Sequence, residues 1–335
     1  MTTLSPTDDA VAAYTPVADW GIGLPEMRNR DIPDVAARND EIFLAYRDPA
    51  SIVVCDAYGD LRRIVGVGII QRPHGVTVDA EHIYVVDESL HAVHIFERSG
   101  DFVTSFGSGP SNPGFPAAGL HADRVIQPLP PFTRPTRLAV GRDGDLYISD
   151  GYGNCRIHRF SPDGSQLRHS WGSPGSSEGS FNLPHSVNMN HQGRVLVCDR
   201  ENDRIQVFDS DGLFIEVWQG LHRPQAIAEA SDGTLFVAEG AWDVGRVSPT
   251  LGPVDPARSR VSVLDSSGRR VGTIGPDTAD VAADFVSAHG IAVDQNGDLY
   301  VVECLASLHA TAAGSSAVLA SIPTDRPAVQ KLRRC

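Results

Sequence analysis

Positive charge is scarce in this 335-residue chain: 28 lysines and arginines stand against 42 aspartates and glutamates, for a formal net charge of −14. Nucleic-acid phosphates require a basic face, so this balance argues against DNA or RNA as a partner. The opening residues, MTTLSPTDDAVAAYTPVADWG, have neither a basic start nor an apolar run, so no secretory signal is expected. No stretch approaches the ~18 apolar residues of a membrane span. Cysteine is sparse too. Five residues (Cys55, Cys155, Cys198, Cys304, Cys335), an odd number without CxxC spacing, fit unpaired thiols in a reducing cytoplasm better than disulfides or a thiolate metal site. Helical periodicity is missing away from the chain ends.

What is present is a repeat, the feature to be sought first because missing it miscalls the fold. Five segments align: RPHGVTVDAEHIYVVDESLHAVHIF from Arg72, RPTRLAVGRDGDLYISDGYGNCRIHRF from Arg134, LPHSVNMNHQGRVLVCDRENDRIQVF from Leu183, RPQAIAEASDGTLFVAEG from Arg223, and AHGIAVDQNGDLYVVEC from Ala288. Each reads as a short apolar strand, a turn built on Asp-Gly, Gln-Gly or Asn-Gly, a second strand, a polar loop and a third strand. A fourth strand follows another glycine turn (DFVTSFG, SQLRHSWG, LFIEVWQG, RRVGTIG). Four antiparallel strands at a ~40–50-residue period define a propeller blade. EIFLAYR, SIVVCDAYG and LRRIVGVG supply a second, third and fourth strand of a degenerate first unit, which makes six. The expected fold is all-β, a six-bladed propeller forming one domain over residues 1–335. Its blades run from about residue 30, and residues 1–30 form an extension or closure segment. The Gly/Pro/Ala-rich stretches Ser108–Phe132 and Ala241–Ser259 read as long loops.

In such a blade the first strand lines the central channel. The approach to that strand and the loop between strands two and three emerge on the same face, so functional side chains belong at those two places. The residue leading into strand one is His74 in unit two, Thr136 in three, His185 in four, Gln225 in five and His289 in six. Histidine thus occupies every second blade, and a six-fold ring sets the three imidazoles about 120° apart around the axis. Three neutral imidazoles with an open fourth position suit a catalytic zinc, although other divalent ions share that preference. The other nine histidines have no such equivalence and read as structural or surface residues. In the second place, Arg47 follows EIFLAY, Tyr152 follows SDG and Arg200 follows CD. Guanidiniums clamp a carboxylate, and a phenol beside a Lewis acid can act as a general base. Glu88, Glu239 and Glu303 lie near equivalent points and are expected to pair with these arginines. Asp87, Asp150 and Asp199 close strand two in most blades and read as structural acceptors for the loop that follows.

The repeat resembles the NHL family. RPHGVTVD, SDGYGNCRI, LPHSVNM with VCDRENDRIQVF, and AHGIAVD further resemble peptidyl-α-hydroxyglycine α-amidating lyases, with LAYRD a weaker match. That resemblance implies a six-bladed propeller with zinc on His74, His185 and His289, a catalytic Tyr152, and Arg47 and Arg200 holding a carboxylate. The implied reaction is lysis of a carbinolamide, on a small-molecule or peptide substrate bearing a carboxylate, to an amide and a glyoxylate-type aldehyde. The family's Asp after its third histidine helps bind a structural calcium. Here Gly290 stands in that place, which argues against calcium on the axis. Two other classes stay open at this point. One is a non-catalytic propeller binding a protein partner, and the other a metal-dependent lactonase-type hydrolase.

Overall fold

The computed structural model describes residues 14–107, 132–242, 245–275, 283–312 and 325–335. Six four-stranded antiparallel sheets follow one another around an axis. The first strands of successive sheets are neighbours, and the first blade's meets the sixth blade's, closing the ring. Blade 1 comprises Asp34–Arg38, Glu41–Arg47, Ala50–Asp56 and Leu61–Val65. Blade 2 comprises Pro73–Val78, His82–Asp87, Ala92–Glu97 and Phe102–Gly107, and blade 3 Arg137–Val140, Leu146–Asp150, Arg156–Phe160 and Leu167–Trp171. Blade 4 is Pro184–Met189, Val195–Asp199, Arg204–Phe208 and Phe214–Trp218, and blade 5 Pro224–Glu229, Leu235–Glu239, Arg260–Leu264 and Arg270–Ile274.

Blade 6 closes the circle with strands far apart in the chain. Ala288–Val293 and Leu299–Glu303 pair with Val329–Arg334, and the outermost strand is the N-terminal Tyr14–Pro16, registered Tyr14 to Arg334. Tyr14 is buried and donates its hydroxyl to Gly297 O at 3.2 Å, which ties the two chain ends into one sheet. An α-helix, Leu305–Ala312, stands between the second and third strands of this blade.

Alternation along each strand builds the core. Ile83 and Val85 face blade 1, while Tyr84 and Val86 face blade 3. Strands buried on both faces therefore read as continuous apolar runs, and six apolar clusters fill the six blade interfaces. The glycine turns behave as their dipeptides require: Gly193 (φ 78°) and Gly233 (φ 84°) take left-handed backbone. The stretch 108–131 lies outside the described residues. Within Ala241–Ser259 the chain forms a small hairpin, Val247–Ser248 against Gly252–Pro253, and Trp242 bridges to Ala257.

Candidate metal centre on the propeller axis

His74, His185 and His289 converge. Their ring centroids are 4.6–5.0 Å apart, all three are enclosed in protein, and one nitrogen from each lies within 4.8 Å of the others. Among the described residues they are the one group of this kind. The register explains the placement. A bulge falls between Pro73 and Gly75, between Pro184 and Ser186, and between Ala288 and Gly290, so the histidine leaves the ladder at each blade's start and turns to the axis.

Each imidazole is held the same way. Nδ1 lies 2.8 Å from Thr136 O in His74, 2.8 Å from Gln225 O in His185 and 2.7 Å from Pro33 O in His289. A carbonyl can only accept, so Nδ1 carries the hydrogen and Nε2 is left with its lone pair facing inward. This anchoring of the remote nitrogen is the arrangement that orients metal-bound histidines. Burial pushes all three pKa values down. His74 lies well below 6.5 with His289 and Arg47 adding to the effect, and His185 likewise with Arg200 adding; His289 lies at about 3 with Arg47 adding. The donors are neutral and bare at physiological pH. Three buried imidazoles of fixed tautomer thus fit a borderline divalent cation.

Tyr152 stands over this triad. Its hydroxyl lies 3.0 Å from His74 Nε2 and 3.3 Å from His185 Nε2. The loop SDGYG needs both glycines to put it there. A Cβ on Gly151 would lie 2.4 Å from Pro184 O, and one on Gly153 2.3 Å from the Thr133 side chain. Burial pushes the phenol pKa up, and Arg200 and Arg47 pull it back. Arg200 lies on the 3-10 turn Arg200–Asn202, with its guanidinium carbon 5.8 Å from the Tyr152 ring centre. It donates Nε to Glu201 at 2.8 Å. Arg47 ends strand two of blade 1 and reaches Asp31 at 3.4 Å and Glu88 at 3.9 Å. All six residues singled out in the sequence therefore meet at one end of the axis.

The acidic residues divide differently from expectation. Glu88 pairs with Arg47 as anticipated, and also with Arg72 and Arg134. Glu239 and Glu303 do not reach the site arginines; they pair with Arg260 and Arg326. Register is the reason: Glu239 opposes Pro224 and Glu303 opposes Ala288, the same rung on which Asp87 opposes Pro73. They share that rung's structural task. Asp87 accepts from the amides of Gln71 and Arg72 and of Ser89 and Leu90, so these carboxylates tie down the approach to strand one as well as the loop that follows.

Gly290 supplies no carboxylate, and the space around it admits no larger side chain. A Cβ there would lie 2.8 Å from Asp34 Cα, Asp34 Oδ1 and Pro33 O, and the neighbouring Asp34 carboxylate already pairs with Arg137 at 3.0 Å. All five cysteines are free thiols.

Residues missed in the sequence include Arg134, whose guanidinium lies 4.8 Å from the Tyr152 ring centre, and Glu201, which gathers Arg200, Arg223 and Arg246. A signal for Arg134 and Arg223 was available. Like Arg72, each precedes the proline of an RP pair, two residues before the position that yields the histidines.

Fold and site together define a class: an NHL-repeat six-bladed propeller with a three-histidine cluster on its axis. The NHL repeat itself is matched over residues 132–160 and 181–208, the first three strands of blades 3 and 4. More particularly, the chain resembles amidating lyases. It is 30% identical over 266 residues to peptidyl-glycine alpha-amidating monooxygenase A of Xenopus laevis, covering 75% of this chain and 25% of that protein. It is 32% identical over 149 residues to the probable peptidyl-alpha-hydroxyglycine alpha-amidating lyase of Caenorhabditis elegans, 43% of this chain and 39% of that one. NHL repeat-containing protein 3 of Mus musculus is 32% identical over 252 residues, 70% of this chain and 64% of its own length. The chain thus spans less than two thirds of each of these relatives. Among solved structures, streptogramin B lyase superposes with a TM-score of 0.57 at 11% identity over 96% of this chain and 97% of its own, a likeness of fold. Among the described residues no helix is long and apolar enough to cross a membrane.

Proposed function

We propose that the protein is a zinc-dependent lyase that breaks the C–N bond of a carbinolamide, an N-acyl-α-hydroxyglycine or a close analogue, releasing an amide and glyoxylate. The observation that carries this reading is the set of three unprotonated Nε2 atoms, each ring fixed by an Nδ1–H to carbonyl bond, with the Tyr152 hydroxyl 3.0 and 3.3 Å from two of them. The likeness to proteins named as amidating lyases supports it.

When bound to His74, His185 and His289, zinc supplies Lewis-acid polarisation of a substrate oxygen. Arg47 and Arg200 receive the substrate carboxylate; both are largely buried, so the ion pairs form out of water. Tyr152, as a phenolate flanked by Arg200 and Arg47, takes the proton of the carbinol hydroxyl. As the carbonyl of glyoxylate forms, the C–N electron pair goes to nitrogen, which receives that proton from the Tyr152 hydroxyl to leave the amide. No water is consumed, and the phenolate is regenerated.

The test is elemental analysis of the purified protein and of a His185→Ala variant, followed by a glyoxylate-release assay on an N-acyl-α-hydroxyglycine. About one zinc per chain, absent from the variant, with zinc-dependent glyoxylate release, is the expected result. A folded protein that stays metal-free with added zinc would refute the lyase and leave a propeller that serves as a binding platform.

A further inference from the structure

One residue past the histidine position, the six blades carry Asp34, Gly75, Arg137, Ser186, Ala226 and Gly290. Four of these are small, and the other two are a carboxylate and a guanidinium. The small ones make room for the charged ones. A Cβ on Gly290 would lie 2.8 Å from Asp34 Oδ1, and one on Gly75 would lie 3.0 Å from Arg137 Cα and 3.3 Å from its Cγ. Asp34 of blade 1 and Arg137 of blade 3 meet at 3.0 Å, with side chains 2% and 12% exposed. The other Asp34 oxygen accepts from the Val76 N–H of blade 2 at 2.9 Å. The pair therefore links three consecutive blades, and its carboxylate lies beside Gly290 of a fourth.

The backbone of this pair carries two of the three acceptors that fix the imidazoles. The Pro33 oxygen that holds His289 Nδ1 sits on the peptide unit joining Pro33 to Asp34. The Thr136 oxygen that holds His74 Nδ1 sits on the unit joining Thr136 to Arg137. A peptide unit is planar, so a shift of Asp34 or Arg137 turns the carbonyl attached to it. The third acceptor, Gln225 O, precedes the uncharged Ala226, so His185 has no such link. Neither Asp34 nor Arg137 takes part in the proposed chemistry.

We propose that Asp34 and Arg137 are positioning residues for the three-histidine shell. Their ion pair fixes the anchoring carbonyls of blades 1 and 3 relative to each other, and through them the rings of His289 and His74. This rests on the metal reading of the three histidines. Groups that hold the remote nitrogen of a metal-bound histidine change metal affinity by about ten- to a hundredfold, and the ion pair holds two such groups at once.

The experiment measures zinc affinity by chelator competition, and the visible spectrum of the cobalt(II)-loaded protein, whose bands report ligand geometry. The parent is compared with Arg137→Lys and with a double variant, Asp34→Asn with Arg137→Met. The double variant removes both charges at similar volume, so it is expected to melt near the parent. Its zinc affinity is expected to fall about tenfold or more, with shifted cobalt bands. Arg137→Lys keeps the charge pair and is expected to retain most of the parent's affinity. Asp34→Asn alone keeps an acceptor for the Val76 N–H, and carries the same expectation and the same refutation where the double variant does not fold. Parent affinity and an unshifted spectrum in the double variant would overturn the positioning role while the metal site stood. A loss in Arg137→Lys as large as that in the double variant would overturn it too. A parent protein that binds neither metal would overturn the metal reading and this inference with it.

Discussion

Glu201 ties one side of the site together. Its carboxylate accepts from Arg200 at 2.8 Å and Arg223 at 2.7 Å through one oxygen, and from Arg246 at 3.1 Å through the other. Burial alone would push its pKa up. The three arginines overcome that and hold it far below the ordinary 4.5. Replacing Glu201 by alanine leaves Arg200 buried without its main partner and three guanidiniums facing a void. Breaking a buried ion pair from one side costs about 3–5 kcal/mol, and that is the loss expected for Glu201→Ala in equilibrium urea unfolding at pH 7. Glu201→Gln, which keeps the volume and one acceptor oxygen, is expected to lose less. The pH dependence has a definite sign. A carboxyl with a depressed native pKa stabilises the fold fully above its unfolded value and loses that contribution as pH falls. The gap between parent and variant is therefore complete at pH 7 and narrows below about pH 5. By pH 3.5, one unit under the ordinary value, about 1.4 kcal/mol of it is gone. A loss under about 1 kcal/mol at pH 7, or a gap that does not narrow in acid, would refute the ion-pair account of this cluster.

Two further outcomes follow from the histidine shell. Because burial holds His289 at about 3 and the other two well below 6.5, zinc affinity measured by chelator competition is expected to drop less than tenfold between pH 7 and pH 5.5. Three imidazoles of ordinary pKa would lose about three decades at pH 5.5, and a loss of that size would contradict the depressed values. Gly290→Ala forces a Cβ to within 2.8 Å of Asp34 Cα and Pro33 O. It is expected to cost about 1–3 kcal/mol in thermal or urea unfolding and, by moving the carbonyl that anchors His289 Nδ1, to weaken zinc binding as well; a variant as stable as the parent would show that the strand has room to spare.

The parts of this architecture that repeat were legible in the sequence, and the parts that depend on pairing across the ring were not. Blades 2 to 5 carry complete strand-and-turn patterns, so the histidine position could be compared from unit to unit. Blade 6 breaks the pattern after Glu303. Its third strand, Val329–Arg334, comes after a helix, and its fourth is Tyr14–Pro16 from the far end of the chain. Neither lies at the repeat spacing. The partners of Glu239 and Glu303 were misjudged for a related reason: position along the chain suggested the loop, whereas the β-ladder sets them one rung earlier, where Asp87 sits. Arg246 was unreadable because it comes from an insertion, and only the fold brings it to Glu201, 45 residues away in sequence.

The alternation of histidine with other residues around the ring has a physical basis that reaches beyond ligand count. The carbonyls that fix the three imidazoles belong to Thr136, Gln225 and Pro33, the residues leading into strand one of the blades that carry no histidine there. Each even blade thus contributes a ring to the axis, and each odd blade contributes the acceptor that fixes the ring's tautomer. Thr136 is itself held, its hydroxyl donating within reach of Ser149 O at 3.0 Å and Pro184 O at 3.1 Å, the latter in the next blade. A fourth histidine on the axis would add a nitrogen but would find no fourth acceptor of this kind, since the odd blades supply three. Three inward-facing nitrogens of fixed tautomer are therefore what a six-bladed ring of this kind presents when every second blade orients its neighbour.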